Sequence, residues 1–261
     1  MSEIEIIDLT ADNMQNYGLC GIKDIKKEGF KRKAGWLKQR FAEGLRSKVL
    51  YAAEKGTVGA IEYIPGKYAW RAIEASGYMV IHCLFNIYKK YQRKGYATLL
   101  LEECLKDAKK EKMHGVAVVT RKGPWMAGKE LFLKNGFEVV DEAPPDFELL
   151  VKKFKKSAPS PKFKGDWEKR LGRYSQGLTI IRSGQCPYLA KWVNEIMKTA
   201  EERYGIKARI VELKNYKEAQ NTPTAFAIFS IIYNGKLLTI YPTSNKRFTN
   251  IMDKELKKLE K

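Results

Sequence analysis

Two hydrophobic periods alternate along the first 150 residues. Ala97, Leu100, Leu101, Cys104, Leu105 and Ala108 recur at steps of three and one, with Glu102, Glu103, Lys106, Asp107 and Lys109 largely on the other side. That spacing predicts a helix with one apolar stripe. Before it, Tyr78 to Ile87 is an apolar run of strand length, and after it Gly115 to Thr120 reads as a buried strand. Strand, loop, helix and strand in that order make a crossover unit. Upstream, Glu3 to Asp8 alternates as a first strand. Residues 11–46 read as mostly helical, with Trp36, Leu37, Phe41 and Leu45 at helical spacing. Lys48 to Ala53 and Thr57 to Tyr63 form a predicted hairpin about Lys55-Gly56. Residues 127–135 predict a short helix, and Phe137 to Val140 and Phe147 to Val151 two late strands separated by Pro144-Pro145.

The pattern then breaks. Residues 152–177 are basic and carry Pro, Ser and Gly, which reads as a linker. Trp167, Leu171 and Tyr174 predict that its second half packs down. A second unit, 178–261, opens with the strand Leu178 to Ile181 and the turn Gly184-Gln185-Cys186-Pro187-Tyr188. A helix follows, with Leu189, Trp192, Val193, Ile196, Met197 and Ala200 on one face and Gly205 to close it. Ala208 to Leu213 alternates as a strand. Ala225 to Tyr233 and Lys236 to Tyr241 flank the hairpin signal Asn234-Gly235, and residues 246–260 predict a last helix.

The chemistry concentrates in the turn Tyr91-Gln92-Arg93-Lys94-Gly95-Tyr96-Ala97. A basic, glycine-bearing turn between a strand and a helix start holds phosphate well: free backbone N–H groups and the positive helix end point at the anion. The spacing Gln92-x-x-Gly95-x-Ala97 resembles the (Gln/Arg)-x-x-Gly-x-(Gly/Ala) signature of the GNAT acyltransferases. Phe85-Asn86-Ile87 resembles the end of that family's fourth strand. Leu131 to Phe137 resembles its later helix and closing Gly-Phe, and Val58-Gly59-Ala60 its central hairpin.

The resemblance implies an α/β (α+β) fold over residues 1–151, a mixed sheet flanked by helices, with acetyl-CoA as co-substrate. It implies an N-acetyltransferase whose amine acceptor, a small molecule or a peptide, attacks the thioester directly. Backbone groups of Phe85 and Ile87 would hold the pantetheine arm, and the Phe85 N–H would face the thioester oxygen. The diphosphate would sit on Gln92, Arg93, Lys94, Gly95, Tyr96 and Ala97, with a hydroxyl from Thr98. For the base, the family's habits leave Glu62, Glu74 and His82. Where many members carry a tyrosine acid, this chain has Phe132. Three readings follow: the thiolate leaves unaided, Tyr88 or Tyr91 supplies the proton, or CoA binding outweighs catalysis. The family's frequent Asn ahead of this helix aligns with Trp125.

In the second unit, Cys186-Pro187-Tyr188 resembles the glutaredoxin Cys-Pro-Tyr-Cys site, with Leu189 in place of the second cysteine. Thr222-Pro223 resembles the cis-proline segment that faces it. This implies a smaller thioredoxin-like α/β domain, and the two units together resemble the YoaP-like acetyltransferases. Cys186, at a helix N-terminus, is then a candidate low-pKa thiol. The alternative function is a thiol-binding or monothiol redox module, centred on Cys186 and Pro223, with a CoA-binding sensor domain.

Composition narrows the setting. The four cysteines, Cys20, Cys83, Cys104 and Cys186, lie far apart without metal-ligand spacing, so no metal is expected and a reduced, cytoplasmic protein fits. No apolar run spans a bilayer, and Met1 to Glu5 starts no secretory signal. The net charge of +19 favours anionic partners. Its densest part is residues 151–177, with 9 Lys/Arg against 2 Asp/Glu. No aromatic stripe lies among the basic residues, so nucleic acid is not favoured. A homodimer stays open.

Overall fold

The computed structural model describes residues 4–259, so Glu3 and Glu260, at the ends of two expected elements, lie outside the described residues. The chain begins with strand β1 (Ile4–Leu9) and a single helical turn α1 (Met14–Tyr17). The mostly helical stretch expected across 11–46 is broken into α1 and the longer α2 (Glu28–Phe41). Residues 18–27 are interrupted by Gly18, Cys20 and Gly21, all at positive φ, which a helix does not accommodate. The hairpin forms as β2 (Arg46–Ala52) and β3 (Gly56–Pro65). The interior of β3 is buried residue after residue, as expected of a central strand covered on both faces.

A short strand β4 (Ile73–Glu74) precedes β5 (Tyr78–Asn86), helix α3 (Tyr96–Lys110) and β6 (Gly115–Arg121). Helix α4 (Lys129–Lys134), β7 (Glu138–Ala143) and β8 (Phe147–Lys153) complete a seven-stranded sheet of order β1-β2-β3-β5-β6-β8-β7. All neighbours in it are antiparallel except β5 and β6. Leu100, Leu101, Cys104 and Ala108 of α3 pack on one face with Ile61, Tyr63, Met79 and Val116. The opposite face, through Ala60, Ile64 and Val80, packs beneath α2.

The expected linker is docked along its length. Its strand β9 (Lys162–Phe163) pairs with β4, and the Phe163 N–H donates to Asp141 at 2.6 Å. The Tyr78 hydroxyl donates to the Pro159 carbonyl at 2.7 Å. Helix α5 (Trp167–Leu171) places Arg170 to donate to the Gln220 carbonyl at 3.0 Å.

The second unit contains β10 (Leu178–Arg182), α6 (Leu189–Tyr204), β11 (Arg209–Glu212), α7 (Tyr216–Gln220), β12 (Phe229–Tyr233), β13 (Lys236–Thr239) and α8 (Asn245–Leu259). Gly205, at φ 63°, caps α6 as expected. The strand expected from Ala225 starts only at Phe229. Ala227 sits at φ 68° and its N–H turns back to the Thr224 carbonyl at 3.2 Å. The four-stranded sheet runs β11-β10-β12-β13, with β10 and β11 parallel and the others antiparallel.

One apolar core runs through both units, joining Trp36, Trp70 and Val80 to Val193, Phe226 and Phe229. Two glycines let the backbones meet there. A Cβ on Gly29 of α2 would collide with the Pro187 carbonyl, and one on Gly184 would lie 2.9 Å from the Trp36 Cβ. The Arg32–Glu212 ion pair and a 2.7 Å hydrogen bond from the Tyr188 hydroxyl to the Cys20 carbonyl also cross the junction. Among the described residues no helix is long and apolar enough to cross a membrane.

Candidate active site

The site begins where two parallel strands separate. β5 and β6 are paired only from Tyr78↔Gly115 to Ile81↔Val118, yet β5 continues to Asn86 and β6 to Arg121. A bulge starts the divergence: opposite β3 the register steps from Tyr63↔Ile81 to Glu62↔Cys83, leaving His82 as the extra residue. The wedge between the strands opens into a cavity of about 390 Å³. Its walls include Leu84, Phe85, Val119 and Phe132 from the first unit and Gln185, Cys186, Tyr188 and Phe226 from the second. Trp125 lies at the cavity with Tyr188, and both rings cluster with Trp192, the Trp125–Trp192 centroids 5.1 Å apart.

Besides three thiols, the side chains of Lys33, Glu62, Arg71 and His82 are enclosed here. Lys33 and Glu62 are 1% and 3% exposed, and the Lys33 Nζ lies 2.7 Å from each Glu62 carboxylate oxygen. Burial, the largest single effect, pulls the Lys33 pKa down, but the charge and hydrogen bond of Glu62, with smaller help from Cys20 and Cys83, together outweigh it; the net shift is upward, so the ammonium persists. Arg71 is 2% exposed; its guanidinium donates to the Trp70 carbonyl at 2.7 Å and the His82 carbonyl at 2.6 Å. Burial lowers its pKa to about 10, which leaves it charged at neutral pH.

The His82 Nε2 accepts the Trp70 N–H at 2.9 Å. Burial, then the charges of Arg71 and Lys33, hold this imidazole well below its ordinary pKa. A neutral ring accepting at Nε2 carries its proton on Nδ1. His82 is therefore a neutral ring whose Nδ1–H is buried and without a partner among the described residues, and not the base that its position on the strand suggested. Glu62 is the carboxylate that reaches the cavity. Glu74 is exposed and pairs with Lys162 at 3.2 Å, away from it.

The glycine-bearing turn is organised for an anion, with one correction. The Gln92 N–H already donates to the Lys89 carbonyl at 3.0 Å. The N–H groups of Arg93, Lys94, Gly95, Tyr96, Ala97 and Thr98 donate to no carbonyl among the described residues. Arg93 (φ 59°) and Gly95 (φ 80°) both take the left-handed conformation that turns successive amides to one side. A Cβ on Gly95 would meet nothing within 4 Å, so the space beside it is open to a ligand. Arg93 and Lys94 are exposed at the same place.

The strand contacts are corrected too. The Ile87 N–H donates to the Val58 carbonyl at 2.8 Å, and the Phe85 carbonyl lies 2.8 Å from where a Gly59 Cβ would sit. Phe85 stands opposite Ala60, on the same edge as Ile87, because amide direction repeats every second residue. Phe85 and Ile87 thus spend their N–H groups on β3, and the amides turned toward the wedge are those of Leu84 and Asn86.

Neither tyrosine considered as the acid reaches the cavity. The Tyr91 hydroxyl donates to Glu54 at 2.9 Å, and Tyr88 is an exposed surface ring. Cys186 is half-buried at the cavity wall. Burial pushes its thiol up, against smaller opposing effects of the Tyr188 and Leu189 amides, so the expected low pKa is not found. The Thr222–Pro223 bond is not cis, and Pro223 lines a separate hollow with Trp167 and Leu238. Phe226 and Ile228 occupy the wall that Pro223 was expected to form.

Sequence reasoning missed Lys33, Arg71 and Gln185. Lys33 had a signal, being a lysine inside the apolar stripe Phe30, Trp36, Leu37. Arg71 had a weaker one, a lone charge inside Ala69-Trp70-Arg71-Ala72-Ile73.

A mixed sheet with a splayed parallel pair, an amide-lined turn at the following helix and a buried carboxylate at the cavity are the features that the acyltransferase resemblance led one to expect. Residues 16–137 match the acetyltransferase (GNAT) family model, and residues 208–250 match the YoaP-like model. The chain belongs to the GNAT family of acetyltransferases: it is 31% identical over 251 residues to the "Uncharacterized N-acetyltransferase YoaP" of Bacillus subtilis (strain 168), across 95% of this chain and 98% of that one. Among solved structures, it is similar to the PaiA N-acetyltransferase of Thermoplasma acidophilum in complex with coenzyme A. The identity is 18%, over 58% of this chain and 99% of that chain, with a TM-score of 0.42. A GNAT family acetyltransferase of Staphylococcus aureus Mu50 is 14% identical over 59% of this chain and 100% of that chain, with a TM-score of 0.43.

Proposed function

We propose that this protein moves the acetyl group of acetyl-CoA to a small amine inside the cavity between its two units. The observation that carries this reading is the wedge between β5 and β6, which leads to the buried Glu62 carboxylate. The amides of Arg93 to Thr98, with the Arg93 and Lys94 side chains, hold the diphosphate. Leu84 and Asn86 present backbone N–H groups to the arm and to the thioester oxygen as charge develops there. Glu62, steadied by Lys33, takes a proton from the incoming ammonium, which releases the lone pair for attack. Phe132, buried at the cavity wall, offers no proton. A thiol of ordinary pKa leaves as thiolate without an acid.

The strand order and directions of the second unit support a thioredoxin-like fold serving as a wall of the acceptor pocket. The raised Cys186 pKa removes the main argument for a redox role. Four free cysteines fit a cytoplasmic setting. The test is calorimetric titration with CoA and acetyl-CoA, followed by free-thiol release with a panel of amines. The expected result is binding at micromolar concentration and amine-dependent thiol release. Absence of CoA binding to folded protein would overturn the reading.

A further inference from the structure

The enclosed charges do not balance. Lys33 and Glu62 cancel each other. His82 is neutral, and burial pushes the Cys20, Cys83 and Cys186 thiols up, Cys83 to about 12, so none of them supplies an anion. Arg71 remains, a cation 2% exposed with no carboxylate within ion-pair distance among the described residues. Backbone carbonyls and a 3.5 Å approach to the Gln185 Oε1 occupy part of its fork. Among the described residues its Nε has no hydrogen-bond partner, and neither has the His82 Nδ1. Both residues line the same cavity. Two unpaired donors and one charge without an ion-pair partner out of water are costly, and an anion in the cavity would satisfy all three once the two buried donors turn toward it.

We infer that the acceptor is a small amine that also carries a carboxylate, and that Arg71 and His82 hold this carboxylate while the amine faces Glu62. The inference rests on the acetyltransferase reading above. A carboxylate is the natural match: it is planar, carries one charge, and accepts from a guanidinium edge and an imidazole N–H together. The size limit comes from the second unit. Phe226, Ile228, Pro242 and Cys186 close the cavity, and its roughly 390 Å³ must also admit the thioester end. That leaves room for a molecule of amino-acid size and not for a folded protein's tail.

The experiment uses the full chain with acetyl-CoA and a free-thiol readout. Amino acids are compared with their amides and with the amines lacking the carboxylate. The acids are expected to be the better acceptors by on the order of 100-fold in kcat/KM. Arg71→Met is expected to remove that preference, raising KM for the acid while the amide changes less than about threefold and CoA affinity holds within about twofold. Arg71→Lys keeps a cation in the fold but loses the fork, and about a tenfold rise in KM for acids is expected even if the Met variant does not fold. Calorimetry on the CoA-saturated protein with glutarate and amino acids gives a second reading, binding that vanishes in the Arg71 variants. Amides or neutral amines used as well as acids overturn the inference. So does equal damage by Arg71→Lys to both classes, or no acid bound by protein that binds CoA. In those cases the acetyltransferase reading stands; loss of CoA binding by the unaltered protein would instead remove that reading itself.

Discussion

Cutting the Lys33–Glu62 pair separates its structural from its chemical role. Glu62→Gln keeps the shape but leaves the Lys33 ammonium, 1% exposed, without a counter-charge. Removing one partner of a buried pair costs about 3–5 kcal/mol, much of it the stranded charge. For a chain of this size each kcal/mol moves the melting temperature by about 2–4 °C, so a fall of roughly 10 °C is expected. The pH dependence carries a sign. In the unaltered protein burial is the largest single effect on the Lys33 pKa and lowers it, but the charge and hydrogen bond of Glu62, with smaller contributions from Cys20 and Cys83, together raise it above the ordinary value. Its stabilisation is therefore full below the unfolded lysine value, about 10.4, and is lost as pH rises through the folded value. In Glu62→Gln burial acts alone and depresses the pKa. The unfolded chain then binds more protons, so the variant's deficit is greatest near neutrality and shrinks as pH rises. The double variant Lys33→Met/Glu62→Leu removes both charges and should lose less stability than Glu62→Gln. It should bind CoA normally while acetyl transfer falls by about 100-fold or more, since the base is gone. Denaturant titration at pH 7 and 9.5, with calorimetry and thiol release, checks each point. Additive effects of Lys33→Met and Glu62→Gln, each under about 1 kcal/mol and flat with pH, would refute the coupled buried pair.

Three further outcomes are expected. Gly95→Glu points a carboxylate into the open space beside the free amides, and CoA affinity should fall by about 100-fold or more; the left-handed backbone at Gly95, φ 80°, adds a cost of about 1–2 kcal/mol and a lower melting temperature, and unchanged affinity would move the diphosphate site elsewhere. Gly29→Ala drives a methyl against the Pro187 carbonyl, which should cost about 1–3 kcal/mol and raise the acceptor KM more than the acetyl-CoA KM; an unaffected protein would show that the two units are not held together there. Cys186, with its thiol pushed up by burial, should react with iodoacetamide more slowly than a free cysteine at pH 7 and go on gaining rate with pH beyond about 8.5, where a free thiol's rate begins to level off; fast labelling at neutral pH, lost in Cys186→Ser, would restore the redox alternative.

Much of the fold was visible in local pattern. The stripe Leu100, Leu101, Cys104, Ala108, the run from Tyr78 and the turn at Gly95 depend on neighbours three to seven residues away, and each forms about where its period predicts. The errors share a cause. Residues 152–177 carry the composition of a linker, yet a two-residue strand and a few hydrogen bonds to Ile73, Asp141 and Gln220 dock them, and no local window records those partners. His82 looked like a base because its type titrates near neutrality, whereas Trp70, Arg71 and Lys33 make it a neutral donor. Phe85 was placed by motif, while the edge of β5 that its amide faces follows from pairing with β3.

Period and turn chemistry are properties of a few consecutive residues, so the chain alone specified its helices, its central strands and an amide-lined bend fit for a diphosphate. The character of the cavity belongs to the assembled molecule. Lys33 comes from α2, Glu62 from β3, Arg71 from the loop before β4, His82 from a bulge in β5 and Gln185 from the other unit. Whether a side chain is charged, paired or stranded depends on how much water all its neighbours exclude, and those neighbours are brought together only by folding.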